Sequence, residues 1–147
     1  MAMLRISDDR NELDVDLVHG FLSREAYWSQ GIPWETVERA IAGSLCFGGY
    51  LEGEGQVAFA RVITDGATFG YLADVFVLPA HRGRGYGRQL VAAVLAHPQL
   101  QGLRRFMLAT SDAHGLYAQF GFTEPARPQT LMEILRPGIY QSAAVTA

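Results

Sequence analysis

Residues 81 to 90, "HRGRGYGRQL", set three glycines at alternate positions among arginines immediately before an apolar run. Glycine lets a backbone approach a ligand closely and adopt positive φ. A helix start adds unpaired N–H groups and the positive end of the dipole. Arginine supplies fixed charge and paired donors suited to phosphate. Together Arg82, Gly83, Arg84, Gly85, Tyr86, Gly87 and Arg88 suit a pyrophosphate, and a solvated turn rich in glycine is the other reading. No GK[ST] follows the stretch, which excludes a phosphate loop of that type, and its spacing is not that of a dinucleotide fingerprint. An arginine–glycine RNA-binding tract would be longer and would not stand between core elements.

The surrounding elements place the stretch. "LRIS" reads as a first strand, and residues 13 to 30 carry Leu13, Leu17 and Phe21 at helical spacing. Pro33 opens a second helix with Trp34, Val37 and Ile41 on one face, stopped at Gly43. "SLCFGGYLE", "QVAFARVIT" and "TFGYLADVFVLP" form an antiparallel meander turned at "GEG" and "DG". An apolar helix stopped by Pro98 follows the glycine stretch. Then come the strand "RFMLAT", a short helix in "DAHGLYAQFGF", and a last strand "TLMEIL"; the tail from Pro137 is expected to fray. This mixed order implies an α+β sheet with helices on its faces, not a doubly wound fold.

The whole chain of 147 residues reads as one domain. A net charge of −3 argues against nucleic acid as a partner. The basic residues are all arginine, which rules out Schiff-base or other lysine chemistry. A single cysteine, Cys46, permits no internal disulfide and fits a reducing cytoplasm. The longest apolar run, "LVAAVLA", is far short of the ~20 residues of a membrane span, so no membrane partner is expected.

"VFVLPAHRGRGYGRQL" resembles the signature of the GNAT superfamily of N-acetyltransferases, with Arg82 opening it and Gly85 and Gly87 in its glycine positions. "GLYAQFGF", residues 115 to 122, is similar to the family's second motif. The resemblance covers residues 44 to 135 well and the N-terminal third only in its pair of helices. It implies a mixed α/β sandwich, a central, mostly antiparallel twisted sheet with strands splayed in its middle. It implies acetyl-CoA as co-substrate, held at its pyrophosphate by the amides of residues 83 to 88 and the side chains of Arg84 and Arg88. The pantetheine arm would pair with backbone around Val75, Phe76 and Val77. The acceptor would be a primary amine of a small molecule or a protein. A domain that keeps the fold and binds CoA with little catalysis is the alternative, and a homodimer is left open.

By that resemblance Tyr117 protonates the departing thiolate; a core tyrosine beside Leu116 and Phe120 is the other reading. Asp74 is a lone carboxylate in an apolar run. It either meets the acceptor ammonium or makes a structural bond to a backbone amide or to an arginine such as Arg61. Tyr27 and Trp28, with Trp34 nearby, either wall the acceptor pocket or anchor the helices. Asp112, or else Ser111, is expected to cap the short helix. Cys46 reads as a buried strand thiol before an acetyl-enzyme nucleophile. His19, His81, His97 and His114 lack ligand spacing, so no metal is expected.

Overall fold

The computed structural model describes residues 3–141. Strand β1 (Arg5–Ser7) leads into α1 (Val15–Arg24) and α2 (Trp34–Ala42). The meander follows as β2 (Leu45–Leu51), β3 (Gly55–Thr64) and β4 (Phe69–Val77), then α3 (Tyr86–Ala96), β5 (Arg105–Leu108) and α4 (His114–Ala118).

Local chemistry sets these boundaries. Asp14 caps α1 by accepting from the Leu17 amide at 3.0 Å. The expected helix over 13 to 30 stops at Arg24, because the chain then turns back to Gly31, whose N–H bonds the Ser23 carbonyl at 2.9 Å. Pro33 stands just before α2 and Gly43 just after it, as the sequence implies. The turn between β3 and β4 is built on Asp65, whose carboxylate takes the amides of Ala67, Thr68 and Phe69 and the Thr68 hydroxyl. Those bonds hold its pKa well below the usual carboxylate range.

The sheet runs β1-β2-β3-β4-β5, antiparallel except for the final β4/β5 pair, which is parallel. A parallel pair needs a crossover, and α3 supplies it. Two cores result. On one face Leu90, Val91 and Val94 of α3 pack with Phe47, Ala58, Ala60 and Val62. On the other, Val18, Phe21 and Leu22 of α1 and Val37 and Ile41 of α2 pack with Cys46, Phe59 and Phe76. Phe21 stacks on Phe76 at 4.0 Å between centroids, tying α1 to β4. Among the described residues no helix is long and apolar enough to cross a membrane.

The expected last strand, "TLMEIL", does not pair. Pro125 and Pro128 break the chain's donors, and a 3-10 turn over Pro128–Thr130 carries it away from the sheet. The following residues, 131 to 136, hold neither helix nor strand and stand exposed. The frayed tail is also corrected in its first part: Tyr140 packs on the α1–α2 core, and the Gln141 side chain donates to the Gln30 carbonyl at 2.7 Å. The rest of that tail, 142 to 147, lies outside the described residues.

Candidate functional site

The site begins where two strands part. β5 pairs with β4 only from Phe69 to Leu72, so the remainder of β4 runs on without it. Just past the parting, β4 bulges. Arg61 faces Ala73 and Phe59 faces Phe76, so Asp74 and Val75 together stand against Ala60. Asp74 is in the left-handed region at φ 56°, the only non-glycine residue so placed among the described residues. The bulge turns the Asp74 carboxylate into a cleft of about 600 Å³ that opens between the parted strands.

Asp74 is doubly held there. One carboxylate oxygen accepts from the Trp28 indole N–H at 2.9 Å, and the other from Arg61 Nε, also at 2.9 Å. Arg61 in turn donates through Nη1 to the Ser44 hydroxyl at 3.1 Å. Both side chains of the ion pair are largely withdrawn from solvent, 12% exposed for Asp74 and 16% for Arg61. The arginine partner weighed in the sequence reading is therefore present, and the indole joins it. Tyr27 stands edge-on to Trp28 and shares a hydrogen bond with the Ser111 hydroxyl, so both aromatics of the α1–α2 connection line the cleft. Trp34 goes elsewhere, donating to Asp16 at 3.2 Å.

Tyr117, on α4, closes the opposite wall of the same cleft. Its side chain is nearly buried, with Phe122 edge-on at 6.0 Å. Burial pushes the phenol above its ordinary pKa, and the nearby Asp112 and Tyr27 add to the shift. The group thus holds its proton at neutral pH. Neither Asp112 nor Ser111 caps α4, contrary to expectation. The Thr110 hydroxyl takes the Ala113 amide at 3.0 Å, which leaves Ser111 free to meet Tyr27.

The glycine loop lies at the end of β4 and opens α3. Gly83 and Gly85 adopt φ of +80° and +81°, and no atom of the chain lies within 4 Å of a Cβ built at either. Glycine is needed there for the backbone shape rather than to avoid a neighbour. Gly85 is the residue before α3, and no side chain caps that end. Gly87 lies 4.0 Å from both Val77 and Leu116 by the same construction, so the loop borders the parted strands and α4 together. Arg84 and Arg88 are exposed. Arg82 instead turns back, donating from Nε to the Val77 carbonyl at 2.9 Å. The Tyr86 ring is buried in the α3 core, and Phe76 in the α1 core, so neither side chain lines the cleft. A loop of this shape fits a pyrophosphate.

Two tyrosines of the cleft wall were not singled out from the sequence. Tyr71 comes from β4, and Tyr140 reaches in from the C-terminal segment. An aromatic in a stretch otherwise small and polar was the one signal for Tyr140. Cys46 is buried, and that burial pushes its thiol up to about 11, which disfavours a thiolate nucleophile. The histidines are spread over separate contacts: His19 with the Ile32 carbonyl, His97 with Asp8, and His81 beside Glu54.

Comparison with known proteins bears on this geometry. A family model described as the acetyltransferase (GNAT) family matches residues 15–122. A curated relative from Gibberella zeae that carries an acetyltransferase name is 37% identical, over 78% of this chain and 75% of its own length. The crystal structure of a protein from Xanthomonas campestris, assigned to the GNAT acetyltransferases, superposes with a TM-score of 0.92 at 61% identity, covering 95% of this chain and 98% of that one. An acetyltransferase from Clostridium acetobutylicum, solved with acetyl-CoA, shares the fold at a TM-score of 0.64 and 15% identity, over 92% and 96% of the two chains.

Proposed function

The chain belongs to the GNAT family of acetyltransferases, and from that premise we propose that it transfers an acetyl group from acetyl-CoA directly to a primary amine of a small molecule or protein. The observation that carries this reading is the convergence at the parted strands. The stretch of β4 that β5 leaves and the protonated phenol of Tyr117 border one cleft, and the glycine loop at the start of α3 abuts the end of that strand and α4.

In this reading the amides of residues 83 to 88 hold the pyrophosphate, with Arg84 and Arg88 adding charge from outside. The pantetheine arm lies along β4 from Val75 to Val77, where the Val77 carbonyl is already taken by Arg82. The acceptor enters between Tyr27, Trp28 and Tyr117. Its neutral nitrogen attacks the thioester carbonyl, a C–N bond forms and the C–S bond breaks. The proton lost by the nitrogen passes to water in the cleft, and Tyr117 gives its own proton to the departing thiolate. Asp74 has both oxygens engaged, so its part is to fix Trp28 and Arg61 rather than to shuttle protons. No metal enters the scheme.

Release of free CoA thiol, followed over a panel of small amines and N-terminal or lysine-bearing peptides, tests the reading. At least one amine should raise release well above hydrolysis of acetyl-CoA alone, with the acetylated amine found by mass spectrometry. Failure of the protein to bind acetyl-CoA in a calorimetric titration would sink it.

A further inference from the structure

The cleft wall carries more recognition chemistry than the transfer of an acetyl group requires. Three charged side chains line it, those of Arg61, Asp74 and Asp112. The first two neutralise each other, and Arg61 also holds Ser44. Asp112 is exposed, does not cap α4, and forms neither a hydrogen bond nor an ion pair among the described residues. The cleft therefore presents one negative charge without a positive counterpart.

Aromatic faces accompany that carboxylate. Tyr27 and Trp28 meet at 5.1 Å between centroids with an interplanar angle of 87°, so they form a corner of two ring walls. The corner is held from both sides. The Trp28 indole donates to Asp74 at 2.9 Å, and Tyr27 shares a hydrogen bond with Ser111, the residue before Asp112. After burial, Asp112 and Tyr27 are the groups that raise the Tyr117 phenol, so carboxylate and corner both lie near the acid. Two rings at right angles near an unspent carboxylate suit an alkylammonium, which is drawn to ring faces and to charge together. That ammonium is not the nitrogen that attacks. Ring faces and a carboxylate around the attacking nitrogen would favour its protonated form and oppose transfer.

Resting on the acetyl-transfer reading above, we propose that the acceptor is a small diamine, whose second, unacetylated ammonium is held by Asp112 and the Tyr27–Trp28 corner. Asp112 is then a specificity-determining residue that takes no part in moving protons. The primary amine at the other end of the molecule reaches Tyr117 and the thioester as the free base. The Tyr27–Ser111 bond joins the α1–α2 connection to the loop before α4. An extended peptide crossing between these walls would have to break it, which favours a small molecule over a protein. An acceptor with a carboxylate or phosphate in place of the second ammonium would meet Asp112 with like charge. The one arginine on the wall is already committed to Asp74 and does not offset that repulsion.

Putrescine, butylamine and γ-aminobutyrate have equal numbers of carbons and differ in the group at the far end, so they form a matched series. Calorimetric titration into the full chain, with and without saturating CoA, should give putrescine an affinity about 10-fold above butylamine, with γ-aminobutyrate weakest. A peptide with blocked ends and one lysine should bind no better than butylamine. Asp112→Asn keeps the shape of an exposed side chain and removes its charge. It should cut the putrescine advantage to about 2-fold while CoA affinity holds. Equal binding of putrescine and butylamine would overturn the proposal, as would an advantage that survives in Asp112→Asn. So would a lysine peptide that binds as tightly as putrescine. Turnover then separates the two readings. If putrescine binds with its advantage but no amine is acetylated, the transfer reading falls and the cation site stands on the binding data. If butylamine and putrescine are acetylated with the same kcat/KM, the diamine falls and acetyl transfer stands.

Discussion

Asp74 occupies a backbone region that costs a non-glycine residue about 1–3 kcal/mol, and such strain persists only where the surroundings hold it. Here the Trp28 indole and the Arg61 guanidinium hold it. Asp74→Asn tests what that holding does. Asparagine tolerates the same φ and can still accept from the indole, but it presents no charge to Arg61. The variant should lose about 1–3 kcal/mol of stability. Its acceptor KM should rise as Trp28 loosens, and acetyl-CoA affinity should hold. A lowered melting temperature with every kinetic constant unchanged would make the pair structural only. Tyr117→Phe probes the opposite wall: kcat should fall by about 10²–10⁴-fold with little change in acetyl-CoA affinity. Because burial raises the phenol, the alkaline limb of the parent's kcat should lie above pH about 10, where an ordinary tyrosine titrates. A limb at or below that value would assign the proton to another group. Of these residues, Tyr117 and Asp74 stand out in the sequence by type and context. Arg61 is legible beside Asp74 as a partner, but the Trp28 indole is not. Trp28 and Asp74 are 46 positions apart, and what joins them is a bulge fixed by pairing with β3, which no local pattern announces.

At the scale of elements, the loop before α3 allows two roles of glycine to be separated. Gly85 is left-handed, and no neighbour crowds a Cβ placed there, so Gly85→Ala should destabilise the fold by about 1–2 kcal/mol through backbone strain alone. Asparagine visits the same region more readily, so Gly85→Asn should recover part of that stability. If the loop closes around a pyrophosphate, both variants should bind acetyl-CoA weakly, because either side chain stands between the amides and the ligand. Titration calorimetry beside thermal melting distinguishes the outcomes, and acetyl-CoA affinity that recovers in Gly85→Asn along with stability would reduce the loop to a turn. The elements themselves were largely legible. Apolar spacing found α1, α2 and α3, and glycine and aspartate turns found the meander, because those signals are local. "TLMEIL" misled for the same reason. Its composition suits a strand, but a strand needs an edge within reach, and the prolines before it lead the chain away.

At the scale of the molecule, the absence of lysine makes alkaline unfolding unusually simple to interpret. Arginine keeps its charge far above pH 11, so with no lysine to titrate near 10.4 the changes there come from Cys46 and the tyrosines. Burial raises Cys46 to about 11 and Tyr50 to about 12. In the unfolded chain both groups release their protons at lower pH than in the fold. Over the interval between the two values the folded state holds the extra proton, so stability must fall as pH rises. For Cys46 that interval runs from about 9 to about 11, and for Tyr50 from about 10 to about 12. Urea unfolding stepped from pH 7 to 11 should therefore show a plateau followed by a decline, at its steepest about 1.4 kcal/mol per pH step for each group. The Tyr50 hydroxyl is buried without a hydrogen-bond partner among the described residues. Its removal in Tyr50→Phe should leave neutral stability equal or raised by about 1 kcal/mol, and should soften the decline above pH 10. Cys46→Ala should behave in the opposite order. It starts less stable at pH 7, because a buried sulfur has gone from the α1–α2 core, and then loses less between pH 9 and 11. If both variants decline in parallel with the parent, the alkaline loss belongs to Tyr117, whose phenol burial also raises.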